Sequence, residues 1–309
     1  MTLRDTWRRL RLGLATVTGW RRAGWFIPYR YADRLPRAGE SPAYAAAERL
    51  LRARAGDFAA ILDRVDAMGA ALQAIADGAP PDGVTWRAKP PRFDQAWFPT
   101  LDACVAYTLV RDLAPRRIVE VGSGHSTRFL ARALADARCA GEIVAIDPAP
   151  RADIAALPAV TLAQRAVHDA DPAVFATLAP GDVLFIDSSH ILMPGGDVDL
   201  LFNRVLPELP VGVVIHIHDV LLPDDYPTAW AWRNYNEQLA VLPLLTVGAY
   251  TPLFASHFAR TRLAARVAAS VAARLPRHAA GFPTSLWLRK EGPPQASPRP
   301  AEVAPRGMK

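Results

Sequence analysis

With 309 residues, half of them hydrophobic, the chain can bury the core of one α/β domain and still carry an accessory segment. Thirty-six basic and 30 acidic side chains leave a net charge of +6, weighted towards the two ends, but no nucleic-acid reading motif is interleaved with the arginines, so no nucleic-acid partner is expected. Two cysteines, Cys104 and Cys139, exclude a disulfide framework, and no run of about eighteen apolar residues predicts a membrane span.

Residues 1–90 read as a helical accessory region. Leu3, Trp7, Leu10, Leu14 and Val17 recur at steps of four and three, one stripe of a helix, with arginines mostly on its other faces. The simpler expectation is docking on the protein's own body or on a second copy. The alternative is an anionic membrane surface, with Trp20, Trp25 and Phe26 at headgroup level. No apolar core or cleavage site follows the first arginines, so a secretory signal is not expected. Ser41-Pro42 then opens a long helical pattern with Phe58, Leu62, Val65, Met68, Leu72 and Ile75 on one face, divided near Gly56 and ended by Gly78 and Pro80-Pro81. Residues 79–97 are a Pro-rich linker, and Pro99 to Leu113 forms a helix leading into the first strand.

That strand, Ile118 to Val121, is a β-branched run suited to a buried parallel position. Gly122-Ser123-Gly124 turns the chain tightly, and Ser126 or Thr127 caps a helix through Phe129 to Leu134. Two glycines let backbone approach a ligand, with free N–H groups at the helix start facing it. A third glycine of the dinucleotide fingerprint would fall at Thr127, which disfavours a pyrophosphate cofactor. Glu120 instead suits a ligand with an amino group and a sulfonium. The second strand, Glu142 to Ile146, ends at Asp147, a little over twenty residues beyond the turn, where α/β sites hold ribose hydroxyls.

Val160 to Ala163 is the third strand, followed by His168 and Asp169. Asp182 to Asp187 is the fourth and Val211 to Asp219 the fifth, with a helix from Asp197 to Leu206 between them. Beyond them come a helix from Trp230 to Leu242, a sixth strand at Leu244 to Val247, a basic helix from Phe258 to Leu275 as lid or membrane-facing element, and a seventh strand from Ser285 to Arg289. Residues 292–309 lack periodicity and read as a disordered tail. The strand ends gather Glu120, Asp147, Asp187 and Asp219 on one edge, with His190, His216 and His218 close by. His216 lies one pleat back and reads as a core residue, whereas His190 and His218 sit where the chain leaves the sheet.

Glu120-Val-Gly-Ser-Gly124 followed by Ala145-Ile-Asp147 resembles the S-adenosylmethionine site of class I methyltransferases. Phe185-Ile-Asp-Ser-Ser-His190, His216-Ile-His-Asp-Val220, Pro223-Asp-Asp-Tyr-Pro227 and Arg233-Asn-Tyr-Asn-Glu-Gln238 are similar to a bacterial group of small-molecule and sugar O-methyltransferases. The similarity spans about Trp97 to Val247. It implies a Rossmann-like, mostly parallel seven-stranded α/β sheet over residues 91–291, S-adenosyl-L-methionine as cofactor, and a small-molecule acceptor. The implied cofactor residues are Glu120, Gly122, Ser123, Gly124, Ser126, Asp147, His168 and Asp169; the implied catalytic residues are Asp187, His190 and His218. In related catechol-type and sugar-type enzymes, acids ending the fourth and fifth strands hold magnesium. A divalent metal on Asp187, His218 and Asp219 is therefore a further expectation, with the imidazole favouring manganese, iron or zinc. A homodimer and a cytoplasmic site, with peripheral contact at the inner membrane face, complete this reading. Its alternatives are a non-catalytic methyltransferase-like binding module and a nicotinamide oxidoreductase.

Overall fold

The apolar, β-branched runs do form parallel strands. In the computed structural model, which describes residues 3–37 and 39–292, they are β1 (Arg117–Val121), β2 (Glu142–Ile146), β3 (Val160–Ala163), β4 (Val183–Ile186) and β5 (Val214–Ile217). With β6 (Tyr250–Ala255) and β7 (Leu286–Lys290) they make one seven-stranded sheet in the order β3-β2-β1-β4-β5-β7-β6. Strands β1 to β5 pair in parallel, and β7 runs antiparallel to both β5 and β6. The strand order reverses between β1 and β4, and a crevice outside their carboxyl ends is where such a sheet binds ligands.

The helices are α1 (Leu3–Val17), α2 (Ala45–Ala53), α3 (Ala55–Ala67), α4 (Gly69–Ala76), α5 (Thr100–Leu113), α6 (His125–Asp136), α7 (Ala173–Ala176), α8 (Asp197–Leu200), α9 (Gln238–Thr246), α10 (Ser256–Arg262) and α11 (Ala264–Ala269). Helix α5 is buried from Thr100 to Val110, and α6 buries His125 to Leu134, so both pack deeply in the core beside the crevice. The long N-terminal pattern breaks at Arg54 and again at Met68, not at Gly56. Its apolar face joins the main core: Phe58 meets Phe254 and Phe258 edge-on. One core thus runs across the division expected near residue 90.

Four expectations need correction. Leu244–Val247 is not a strand: it ends α9, and β6 begins at Tyr250. The helix expected from Trp230 to Leu242 is a 3₁₀ turn over Thr228–Arg233, a left-handed Asn234, and then α9. The basic helix from Phe258 to Leu275 is broken after Arg262 and after Ala269, and two of its arginines are ion-paired to the body: Arg262 binds Asp224 and Glu48, while Arg266 binds Asp63 and Asp66. It clamps the accessory helices. Finally, the apolar stripe of α1 does not dock on the body; Leu3, Trp7, Leu10, Leu14 and Val17 are all exposed. The expected tail lies, from residue 293 onward, outside the described residues.

Candidate active site

The glycine turn joins β1 to α6 at the point where the strand order reverses. Gly122 has φ +82°, and a Cβ there would overlap the carbonyl oxygen of Asp187 at the end of β4. Only glycine allows the two chain segments to meet so closely. At Gly124, φ +152°, a Cβ would lie 3.3 Å from the Arg151 Cβ, in the loop after β2. The turn's N–H groups are engaged within the chain: Gly122 donates to the Ile146 carbonyl at 3.0 Å, Ser123 to Asp147 Oδ2 at 2.6 Å, and Gly124 to Thr127 Oγ1 at 2.9 Å. The expected cap also differs. Helix α6 starts at His125, and the hydroxyls of Ser126 and Thr127 donate to the two oxygens of Glu120, each at 2.7 Å. Glu120 is therefore a fully buried brace behind the turn and does not reach the crevice surface. Burial pushes its carboxyl up to about 8, with Asp187 and Asp147 adding to the rise against the two hydroxyl bonds.

Asp147 stands at the end of β2 and is largely buried. Oδ2 also accepts the Ser123 hydroxyl at 3.2 Å, and Oδ1 accepts the Ala149 N–H at 2.7 Å. His168 and Asp169 are exposed on a 3₁₀ turn after β3; His168 faces a gap shared with Trp25, Ser189 and Asp197.

Across the turn, the ends of β4 and β5 build an acid–histidine cluster. His190 is buried, with φ +62°; its Nε2 lies 3.3 Å from Asp187 Oδ1 and 3.5 Å from Asp219 Oδ2, and its Nδ1 lies 2.8 Å from Glu237 Oε2. Burial would lower its pKa, but Asp219, Asp187 and Glu237 outweigh that and hold it well above the usual histidine value. Near neutrality it is an imidazolium that donates through both nitrogens. Burial would raise Asp187, yet His218, His190 and Arg151 keep it well below the usual carboxylate range. Asp219, also left-handed at φ +55°, is flanked by Arg233 Nη1 at 3.5 Å. Two such backbone outliers in one cluster are strain of the kind that gathers at functional sites. His218 Nδ1 sits 3.4 Å from Ser285 Oγ, which also contacts His216 Nε2 at 2.8 Å. His216 stacks on Phe185 at 3.6 Å, and burial then His218 hold it neutral, so it is a core residue as expected.

Residues 119–220 match the model of a family described as a methyltransferase domain. The match covers the turn, Asp147, and both strand ends of the cluster. Residues 119–220 carry a methyltransferase domain. Among solved structures, this methyltransferase is similar to an O-methyltransferase from Bacillus cereus in complex with SAH (18% identity, TM-score 0.39, covering 75% of this chain and 91% of that one). It is also similar to the SAH-bound methyltransferase PaMTH1 of Podospora anserina (15% identity, TM-score 0.38, covering 87% and 100%). The family match and the sheet order carry the assignment, not these remote likenesses. No curated protein matches.

S-adenosyl-L-methionine is the cofactor of such a domain, and the crevice of this methyltransferase suits it. The edge offers the carboxylates of Asp147 and Asp187 to a ligand with cationic groups, and the buried Ser188 Oγ there has no partner among the described residues. The engaged turn N–H groups leave no nest for a pyrophosphate. A metal fits less well. Among the described residues no three His, Cys, Asp or Glu side chains are grouped to hold an ion. His190 Nε2 lies between Asp187 and Asp219 and offsets their mutual repulsion, the place a cation would otherwise fill. His218 Nε2 stands 3.9 Å from Asp219 Oδ1.

Several site residues of the methyltransferase escaped sequence reasoning. Asn236 and Glu237 donate their N–H groups to the His190 carbonyl, Asn236 also pairs with the Leu192 backbone, and Gln238 holds Leu221 and Asp224. Tyr235 lies on the His190 ring at 4.6 Å. The run Arg233 to Gln238 thus ties the loops after β4 and β5 together. Its density of side-chain amides and charge at a helix start was the available signal. Asp102 was missed on α5: it accepts the N–H groups of Thr284 and Ser285, positioning the hydroxyl beneath His218. A carboxylate within the buried, mostly apolar stretch of that helix was the clue there.

Proposed function

We propose that this methyltransferase methylates a hydroxyl of a sugar or another small metabolite. The observation that carries the reading is the backbone contact between Gly122 and Asp187, which puts the cofactor turn and the acid–histidine cluster side by side. S-adenosylmethionine, when bound, supplies a methyl group on a sulfonium sulfur. Gly122, Ser123, Gly124 and Ser126 form its turn, Asp147 offers its remaining lone pairs to the ribose, and His168 and Asp169 edge the adenine. Asp187, held ionised, accepts a hydrogen bond from a hydroxyl next to the reacting one and so orients the acceptor. His218 takes the proton, while His190, already an imidazolium, fixes the two aspartates and is not the base. Holding the reactants in line can by itself supply roughly 7–11 kcal/mol of barrier lowering.

A cavity of about 710 Å³ beside Tyr235 and Arg233, walled on its far side by α1, gives room for the acceptor. No metal-dependent step is invoked. No described helix is long and apolar enough to cross a membrane. A cytoplasmic location with peripheral membrane contact, or pairing with a second copy, would have to use the exposed face of α1, since its other face walls this cavity. Labelled S-adenosylmethionine incubated with sugars and other hydroxylated metabolites tests the reading. Asp187→Asn is expected to lower kcat by about a hundredfold or more while cofactor affinity stays within a few-fold. A domain that binds the cofactor and methylates nothing across such a panel would favour the non-catalytic module instead.

A further inference from the structure

Helix α1 has two faces with opposite surroundings. Ala15 is buried and Leu12 and Thr16 are half-buried, and Leu12 and Thr16 help line the cavity proposed for the acceptor. The opposite stripe is open: Leu3 is 88% exposed, Trp7 70%, Leu14 57% and Val17 61%. Trp20, Phe26 and Ile27, just beyond the helix, are also more than half exposed. Five large apolar side chains in one row form a patch that a surface helix does not ordinarily leave to water.

Charge decides what covers it. Residues 1–37 hold nine arginines and two aspartates, whereas the whole chain carries 36 basic and 30 acidic residues. The lead therefore accounts for the entire net positive charge. Arg11 is exposed on α1 away from the cavity that Arg8 and Arg9 help line, and the exposed Arg21 and Arg22 follow the helix. Two copies packed through this stripe would bring arginine-rich leads together with almost no carboxylate to offset them. An anionic lipid surface offsets them directly. A 15-residue helix is about 22 Å long, suited to lie in an interface and not to cross it.

We propose that α1 is an interfacial helix that docks the protein on an anionic lipid surface. Trp7, Leu10 and Leu14 enter the boundary, the flanking arginines meet the headgroups, and the cavity behind the helix lies next to the membrane. This deepens the peripheral contact considered above and does not depend on methyl transfer. The test is flotation of the full chain with phosphatidylglycerol–phosphatidylcholine vesicles and with phosphatidylcholine alone, at low and high salt. Binding is expected to the anionic vesicles only, to fade with salt, and to weaken at least tenfold in Trp7→Glu/Leu14→Glu and in Arg11→Glu/Arg21→Glu. A titration with S-adenosylmethionine on the same samples should be unchanged in every variant, which separates loss of docking from loss of fold or cofactor site. Failure of the parent to float with anionic vesicles at low salt overturns the proposal. So does a concentration-dependent dimer, seen by sedimentation velocity, that Leu14→Glu abolishes, because it assigns the stripe to a second copy.

Discussion

His190 shows how one side chain can hold two strand ends together. Three carboxylates surround it, and removing the imidazolium leaves them buried and unbalanced. Breaking a buried pair in this way costs about 3–5 kcal/mol, so His190→Gln should lose that much in urea unfolding near pH 6. The raised folded pKa fixes the sign: this stabilisation is complete below the unfolded value and fades as pH rises through the folded one. The gap between parent and variant should therefore narrow only on the alkaline side. Glu120 gives a second pH signature. Its folded pKa of about 8 exceeds the unfolded value, so the parent should lose up to about 1.4 kcal/mol per pH unit between the two. Glu120→Gln should flatten that slope in unfolding experiments run at about pH 5.5 and pH 8. The sequence placed Asp187, His190 and Asp219 at one edge correctly because strand ends are set by where apolar runs stop. It could not show that His190 turns back between the two acids, since that depends on left-handed backbone at His190 and Asp219, residue types with no glycine-like signal.

At the scale of elements, Gly122 and Gly124 serve different contacts. Gly122→Ala places a methyl group against the Asp187 carbonyl and adds φ strain, and should cost about 3 kcal/mol or more by thermal or urea unfolding. Gly124→Ala, facing the Arg151 side chain, should cost less. Equal losses at both positions would mean that the β1–β4 contact is not what requires Gly122. Strands β1 to β5 were readable because each is a short, mostly apolar run, closed at β1 by Gly122 and at β2 and β4 by Asp147 and Asp187. The sixth was misplaced for a physical reason. Leu244–Val247 is too short for periodicity to separate helix from strand, and the true β6 contains Pro252, which argues against a strand except at a sheet edge, where β6 lies. The helix break at Asn234 was equally hidden, yet it is what brings Tyr235, Asn236 and Glu237 back to His190.

Over the whole molecule, the family match and the sheet order agree on a methyltransferase domain, and the crevice proposed for its cofactor lies at the β1–β4 reversal. The acceptor stayed unreadable because the cavity proposed for it is lined by α1 and by the Arg233–Asn236 segment, whose packing no local pattern reveals. Asp147 tests the cofactor placement most directly, being the one strand-end acid assigned to the ribose. Calorimetric titration of S-adenosylmethionine into the parent and into Asp147→Ala, with unfolding curves to confirm both are folded, should show binding to the parent and a loss of at least about tenfold in the variant, from charge-assisted hydrogen bonds worth about 1.5–3 kcal/mol each. Equal affinity in the folded variant would contradict this cofactor site, and a parent that binds NAD in place of S-adenosylmethionine would contradict the account as a whole.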